Sequence, residues 1–150
     1  MAEVAFDKVE GLSELIRELR QSPERLDKAI RARFRIIAKD VRDQARGAAE
    51  MLHPHTRVEA RRTPQHWADL VSSITSGADS DTPWVRVGSN KVEWATSFEF
   101  GDRRYRQFPW QGNSTDAGYF LWPTIRASRE EILTGMVAAV DEAFAPAFPS

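Results

Sequence analysis

Apolar residues recur at helical spacing over the longest regular stretch of the chain, from Ser22 to Glu50. A repeat of three and four positions is typical of a helix that lies with one face on a core. Its start is well marked, because Ser22 is a capping residue, Pro23 suits the first helical position and Glu24 suits the positive end of the helix dipole. The predicted apolar stripe comprises Leu26, Ile30, Phe34, Ile37, Val41, Ala45, Ala48 and Leu52.

A second amphipathic helix is predicted over residues 132–144, where apolar residues again follow the helical period. Ser128 and Glu131 have the spacing of a capping box, in which each side chain accepts a hydrogen bond from the other residue's exposed amide. Pro146 predicts the end of this helix, since proline cannot continue it.

Strand-like segments are predicted at the N-terminus and in the middle of the chain. Residues 4–9 suit a short edge strand, and residues 84–87 and 92–100 suit a hairpin whose turn is Gly88–Lys91. The alternation of Phe98, Glu99 and Phe100 places Glu99 on the polar face of this sheet.

Segments without periodicity connect these elements. Residues 53–66 and 102–118 predict two long loops, and residues 77–83 predict a turn-rich connection. Between them, Trp67–Ile74 suits a helical turn that runs into a strand, and Tyr119–Pro123 forms an apolar segment that ends in proline.

These elements predict one α+β domain over residues 1–150, with a long N-terminal amphipathic helix and a C-terminal helix packed on a small antiparallel sheet. Hydrophobic residues make up 41% of the chain and charged residues 29%, which excludes a disordered or fibrous protein. No apolar run approaches the ~20 residues that span a bilayer, and the first residues lack the pattern of a signal peptide. The absence of cysteine excludes disulfides, thiolate metal sites and a cysteine nucleophile. We therefore expect synthesis in a cytoplasm and no contact with a membrane.

The net charge of −1 hides a segregation of charge along the chain. Residues 1–24 carry three basic and six acidic side chains, residues 25–62 carry eleven and five, and residues 63–150 carry seven and eleven. A basic middle between acidic ends suits either a polyanion or head-to-tail contact between identical subunits.

Candidate catalytic chemistry is sparse. His53, His55 and His66 lack the spacing and the partners of a metal site, and His66, Asp69 and Ser72 lack the surroundings of a nucleophile. No glycine-rich phosphate-binding pattern is present. We therefore predict no catalytic residues, no metal, no cofactor and no enzymatic activity.

The arginine-rich segments carry the remaining functional hypotheses. Basic residues along the helix of residues 22–50 and in the loop that follows can track phosphates, which makes a nucleic-acid-binding module the alternative function. The aromatic residues of the loop at residues 102–118 can stack on bases or form the centre of a subunit interface. The candidate interface residues are Glu99, Arg103, Arg104, Tyr105, Phe108 and Trp110.

The order of short motifs resembles the tail-completion, or head–tail joining, proteins of long-tailed bacteriophages. The resemblance covers residues 11–144. Its pieces are Gly11-Leu12, the long charged helix, Leu70-Val71-Ser72-Ser73-Ile74, Val85-Arg86-Val87-Gly88, Trp94-Ala95 followed by Phe98-Glu99-Phe100-Gly101, and Phe120-Leu121-Trp122-Pro123. Two segments depart from the pattern: Thr63–Asp69 lacks a glycine that the family has there, and the loop at residues 102–118 is longer and richer in arginine and aromatic residues.

This resemblance implies a structural component of the phage neck or tail top, assembled in the host cytoplasm and carried in the virion. Its partners are other neck and tail proteins (connector or stopper, terminator and tail tube). It is expected to form a homo-oligomeric ring, with a hexamer as the expected form, around the channel that DNA crosses. The motif residues with structural roles are expected to be Gly88, Gly101, Phe120, Leu121 and Pro123.

Overall fold

The fold was analysed in a computed structural model, which describes residues 2–5, 24–52, 64–79, 81–103, 108–112 and 115–145. In chain order the elements are β1 (Ala2–Ala5), α1 (Glu24–Met51), α2 (Pro64–Ser72), β2 (Thr75–Ala78), β3 (Pro83–Val87), α3 (Ala95–Phe100), α4 (Leu121–Ala127) and α5 (Arg129–Phe144). The predicted α+β class is confirmed: the long helix packs on a small antiparallel sheet, and the C-terminal helix packs against the long helix. No helix within the described ranges is long and apolar enough to cross a membrane.

Helix α1 organises the core, as its apolar stripe predicts. It lies on β2 and β3 with one side and against α4 and α5 with another. Arg33 reaches Glu142 of α5 in a 2.7 Å ion pair, and Ile37 packs beside Gly135 where a larger residue would crowd it. The buried side of α1 comprises Ile30, Phe34, Ala38, Val41, Ala45 and Ala49.

The sheet has the order β1-β3-β2, and both pairs of neighbours are antiparallel. Alternate residues of the central strand β3 face opposite sides, so Val85 and Val87 are buried while Trp84 and Arg86 are half-buried. The Arg86 guanidinium lies 4.3 Å from the centre of the Trp84 ring. That ring covers Gly77 of β2, where a Cβ atom would lie 2.4 Å from it. β1 is an edge strand, as predicted, although Phe6 and Val9 lie outside the described residues.

The predicted strand over residues 92–100 and its hairpin are wrong. Residues 95–100 form helix α3, and β3 pairs with the preceding strand β2. The buried residues of this segment, Ala95, Phe98 and Glu99, have helical spacing, and Trp94 packs edge to face on Phe98 one turn later. A segment of six residues is too short for its apolar pattern to distinguish the two periods.

Two boundaries and one cap also differ from the sequence prediction. Helix α2 begins at Pro64, inside the predicted loop, and β2 includes Gly77, inside the predicted connection. The capping box at Ser128 is absent because α4 runs almost directly into α5. The Ser128 hydroxyl lies 3.0 Å from Gln44 Oε1, so it ties this junction to α1.

Candidate functional site

The most unusual group of the described structure is a fully buried carboxylate on α3. Glu99 has no exposed surface. Its Oε2 accepts hydrogen bonds from the amides of Phe120 (3.2 Å) and Leu121 (3.0 Å), and its Oε1 accepts one from Trp122 (2.8 Å). These amides open helix α4, where backbone N–H groups have no partner within the helix. We call this arrangement the Glu99 junction.

Backbone contacts complete the Glu99 junction. The Tyr119 amide donates to the Glu99 carbonyl at 2.9 Å. Gly118 has a φ of +114°, and a Cβ atom there would lie 2.6 Å from Glu99 Oε1. Only glycine adopts this conformation without strain and leaves room for the carboxylate. The junction therefore depends on residues from two segments that are distant in sequence.

The electrostatics of the Glu99 junction are those of a structural group. Burial raises the pKa of the Glu99 carboxyl, because desolvation penalises its charged form, while the surrounding amides favour that form. Both oxygens act as acceptors for the helix terminus. The prediction that Glu99 lies on the polar face of a sheet is therefore wrong, and a residue with no exposed surface does not offer a subunit contact.

The loop after α3 is held close to that helix by its backbone. The Asp102 amide donates to the Phe108 carbonyl at 2.8 Å, and the Gln111 amide donates to the Phe100 carbonyl at 3.2 Å. Gly101, with a φ of +83°, permits this approach: a Cβ atom there would lie 2.1 Å from the Pro109 carbonyl oxygen. A structural role was predicted for Gly101, and its positive φ and its close approach to Pro109 are the physical reasons for glycine at this position.

Phe108 is buried within its own chain, at 4% exposure. Its ring stacks on Trp67 at 5.5 Å and packs edge to face against Phe98 and Tyr119. Aromatic pairs of this kind stabilise a core beyond the area that they bury. Phe108 was predicted to contact a neighbouring subunit, and this prediction is wrong because the monomer supplies the aromatic partners that the loop appeared to lack.

Trp110 is the exposed member of the same loop, with 52% of its surface accessible. Its neighbours are fixed, because the Pro109 carbonyl accepts a hydrogen bond from the Tyr119 hydroxyl (2.8 Å) and the Gln111 side chain accepts one from the Gly118 amide (2.6 Å). Trp110 borders a groove of about 770 Å³ that also contains Arg103, which is exposed. Of the other candidate interface residues, Arg104 and Tyr105 lie outside the described residues.

Arg126 of α4 binds the backbone of residues 115–117, which precede the Glu99 junction. Its guanidinium donates to the carbonyls of Thr115 (3.2 Å), Asp116 (2.9 Å) and Ala117 (2.9 Å). A planar fork of donors suits several carbonyl oxygens at once, which a lysine cannot match. The sequence analysis did not identify this role, because nothing in the residue pattern relates Arg126 to a loop ten positions earlier.

The basic face of α1 is largely paired with acidic side chains of its own chain. Arg31 forms a 2.7 Å ion pair with Asp27. Arg42 and Lys39 both lie close to Asp43, and the hydrogen bond from Arg42 lowers the pKa of that carboxyl. These local pairs reduce the positive potential that the face offers to phosphates.

Arg46 is used inside the molecule. Its guanidinium donates to the Ile74 carbonyl at 2.7 and 3.0 Å, which fixes the start of β2 against α1. A second groove, of about 710 Å³, lies nearby and includes Arg86, Lys91 and the acidic Asp69 in its lining. Its mixed charge does not single out an anionic ligand.

The motifs of the family resemblance contact one another in space. Gly88 ends the Val-x-Val-Gly motif, and its amide donates to the hydroxyl of Ser73 (3.1 Å), which belongs to the Leu-x-x-Ser-Ile motif. The Glu99 junction joins the next two motifs in the same manner. Phe120 and Leu121 are fully buried, and Pro123 lies in the first turn of α4. The motif residues therefore hold the fold together.

The described residues include no group of three or more histidine, cysteine, aspartate or glutamate side chains that could hold a metal. His53 and His55, and the side chain of His66, lie outside the described structure. The described residues form a small α+β fold. Its buried carboxylate, Glu99, holds the start of a helix, and Trp110 is exposed on its surface. Comparison with family models, with curated proteins and with solved structures finds no match to this chain.

Proposed function

We propose that this chain is a structural assembly protein of a long-tailed bacteriophage, which completes the tail and prepares it for attachment to the head. The observation that carries the proposal is the contact between motif segments. The Glu99 junction joins the Phe98–Gly101 motif to the Phe120–Pro123 motif, and the Ser73–Gly88 hydrogen bond joins the preceding two. A chance collection of short motifs has no reason to meet pairwise in one fold.

The chemistry of the buried residues also favours a binding protein over an enzyme. Glu99 is the buried ionisable side chain of the described structure, and helix amides occupy its oxygens. A general acid or base must reach a substrate proton, which this position does not allow. Ser72, which the sequence placed near a candidate base, donates its hydroxyl to backbone carbonyls of its own helix.

The protein acts by subunit contacts in this proposal. Copies of the chain form a closed ring in the neck or at the top of the tail, and its partners are the connector or stopper, the terminator and the tail tube. A head-to-tail interface between identical subunits closes when its rotation divides the circle. DNA passes through the ring without specific binding, and the protein travels with the virion after assembly in the host cytoplasm.

The alternative function, a nucleic-acid-binding module, uses the basic segment of residues 25–62, of which Arg57, Arg61 and Arg62 lie outside the described residues. Within α1, Arg31, Arg42 and Lys39 lie against aspartates and Arg46 is bound to the β2 backbone, which reduces the charge that this helix offers to phosphates. We expect affinity for duplex DNA at physiological salt no tighter than non-specific binding, with a Kd of ~10⁻⁴ M.

Fluorescence anisotropy with labelled DNA over a salt series measures this affinity. In the variant Arg31→Glu, Arg35→Glu, Arg42→Glu, which reverses the charge of this face, the weak non-specific binding should weaken further. Submicromolar binding with a steep salt dependence, lost in this variant, would establish the nucleic-acid-binding function instead.

Removal of the gene from the phage genome that carries it tests the assembly proposal. The expected lysate contains DNA-filled heads and separate tails under the electron microscope. Joined particles in normal number would refute the proposal.

A further inference from the structure

Two exposed surfaces of this chain have complementary chemistry. The first is the Trp110 surface, which consists of Trp110 and the exposed Arg103 beside the groove at α3, whose lining also includes the half-buried Asp102. The backbone on both sides of Trp110 is held, because the Pro109 carbonyl accepts a hydrogen bond from the Tyr119 hydroxyl and the Gln111 amide donates to the Phe100 carbonyl, so binding need not order this part of the loop. A fixed, half-exposed tryptophan next to an arginine has the composition of an interface centre, where both residue types are enriched.

The second surface is the outer face of α5. Val137 is 52% exposed, and Leu133 and Phe144 are half-buried at positions four before and seven after it, which places all three on one side of the helix. Glu130 and Asp141, both exposed, stand on the same side. We call this set of five residues the α5 stripe. It is an apolar strip flanked by acidic side chains.

Charge separates the α5 stripe from Ile36, another exposed apolar residue within a helix of the described structure. Ile36 of α1 is 50% exposed, and its charged neighbours on the helix surface are two basic residues, Arg33 and Lys39, and one acidic residue, Asp40. Like charges brought together in an interface oppose association, whereas opposite charges steer it. Arg103 therefore favours the α5 stripe over the face of α1 that carries Ile36.

We propose that the Trp110 surface of one subunit packs on the α5 stripe of a second copy of this chain. Trp110 lies on Val137, and Arg103 pairs with Asp141. Because the two surfaces are different, the contact is head-to-tail and repeats around a ring. This inference rests on the proposed function in one respect, namely that the chain assembles with itself.

Cross-linking tests the contact directly, because the chain contains no cysteine that would compete. The variants Pro109→Cys and Thr134→Cys place thiols beside Trp110 and Val137 and leave both residues in place. Ala32→Cys places a thiol beside Ile36 and is the matched control. All three positions are exposed.

A short bis-maleimide should join the Pro109→Cys and Thr134→Cys proteins of an equimolar mixture into a mixed dimer, at roughly one head-to-tail contact in four if the two variants assort at random. The mixture of Pro109→Cys with Ala32→Cys, and each variant alone, should give little product. Equal cross-linking to Ala32→Cys, dimers of Pro109→Cys with itself, or the absence of any cross-linked product at assembly concentrations would overturn the proposal.

Charge exchange provides a second readout. By sedimentation, Arg103→Glu and Asp141→Arg should each weaken self-association about tenfold or more, and the two changes together should restore most of it.

Trp110→Ala should abolish association while the circular dichroism of the monomer is unchanged. Arg35→Glu should have no effect. Failure of the double variant to recover overturns the pairing of Arg103 with Asp141.

The two proposals fail in different ways. If the gene is required to join heads to tails but the cross-link is absent, the subunit contact is wrong and the assembly function stands. If the cross-link forms but virions assemble without the gene, the contact is correct and the phage function is wrong.

Discussion

Replacing Glu99 with alanine is expected to lower the free energy of unfolding by about 3 kcal/mol. The change removes the acceptor of three amides at the start of α4, which lie at 2.8–3.2 Å from the carboxylate. A buried donor without a partner costs about 1–3 kcal/mol, and a water molecule that enters the vacated space recovers part of this. Urea unfolding followed by tryptophan fluorescence measures the loss.

Two further variants make this test specific. Glu99→Gln keeps one acceptor oxygen but turns an NH₂ group towards the remaining amide, so we expect an intermediate loss of about 2 kcal/mol. Glu93→Gln makes the same chemical change at an exposed position of the same segment, and its effect should stay within about 0.5 kcal/mol. If Glu99→Ala is as mild as Glu93→Gln, the Glu99 junction does not stabilise the fold.

Gly101→Ala should also be strongly destabilising, by about 3 kcal/mol or more. The residue has a φ of +83°, and the added Cβ atom would lie 2.1 Å from the Pro109 carbonyl oxygen, which is backbone and cannot rotate away. Both the strained conformation and the displacement of the loop therefore contribute. The loop that carries Phe108 and Trp110 must move to admit a single methyl group.

Gly112 separates these two contributions. It has a φ of +72°, but nothing lies within 4 Å of an added Cβ atom. Gly112→Ala should therefore cost only the conformational strain of about 1–2 kcal/mol. Thermal and urea unfolding should show a clearly larger loss of unfolding free energy for Gly101→Ala than for Gly112→Ala. Equal losses would show that the close approach of Gly101 to Pro109 does not affect stability.

The sequence predicted the parts of this fold that follow from long-range periodicity. Over seven turns, the stripe from Leu26 to Leu52 allowed one interpretation only, and the structure confirms the helix. The segment around Glu99 was different, because six residues between aromatic side chains fit a strand as well as a helix. The helix prevails because it buries Phe98 against Trp67 and Phe108, and both partners lie outside the segment whose pattern was read.

The candidate site, like the segment around Glu99, could be predicted from the sequence only in part. The sequence marked Trp110 and Phe108 as aromatic residues in need of burial, and only the structure reveals that Phe108 finds it within the chain. The roles of Arg126 and Ser73 depend on hydrogen bonds to distant backbone groups, which no local pattern reports. Gly118 could have been suspected as a turn glycine, but its contact with Glu99 Oε1 could not.

The central claim is that this protein joins tails to heads, and the most direct measurement is complementation of a gene deletion, scored by negative-stain electron microscopy and by plaque counts. Deletion should give filled heads and unattached tails, with infectious particles reduced by orders of magnitude. Purified wild-type protein added to the lysate should restore joined virions, the Glu93→Gln protein should do so equally well, and the Trp110→Ala protein should not. A deletion lysate with joined, infectious particles at wild-type number would contradict the account.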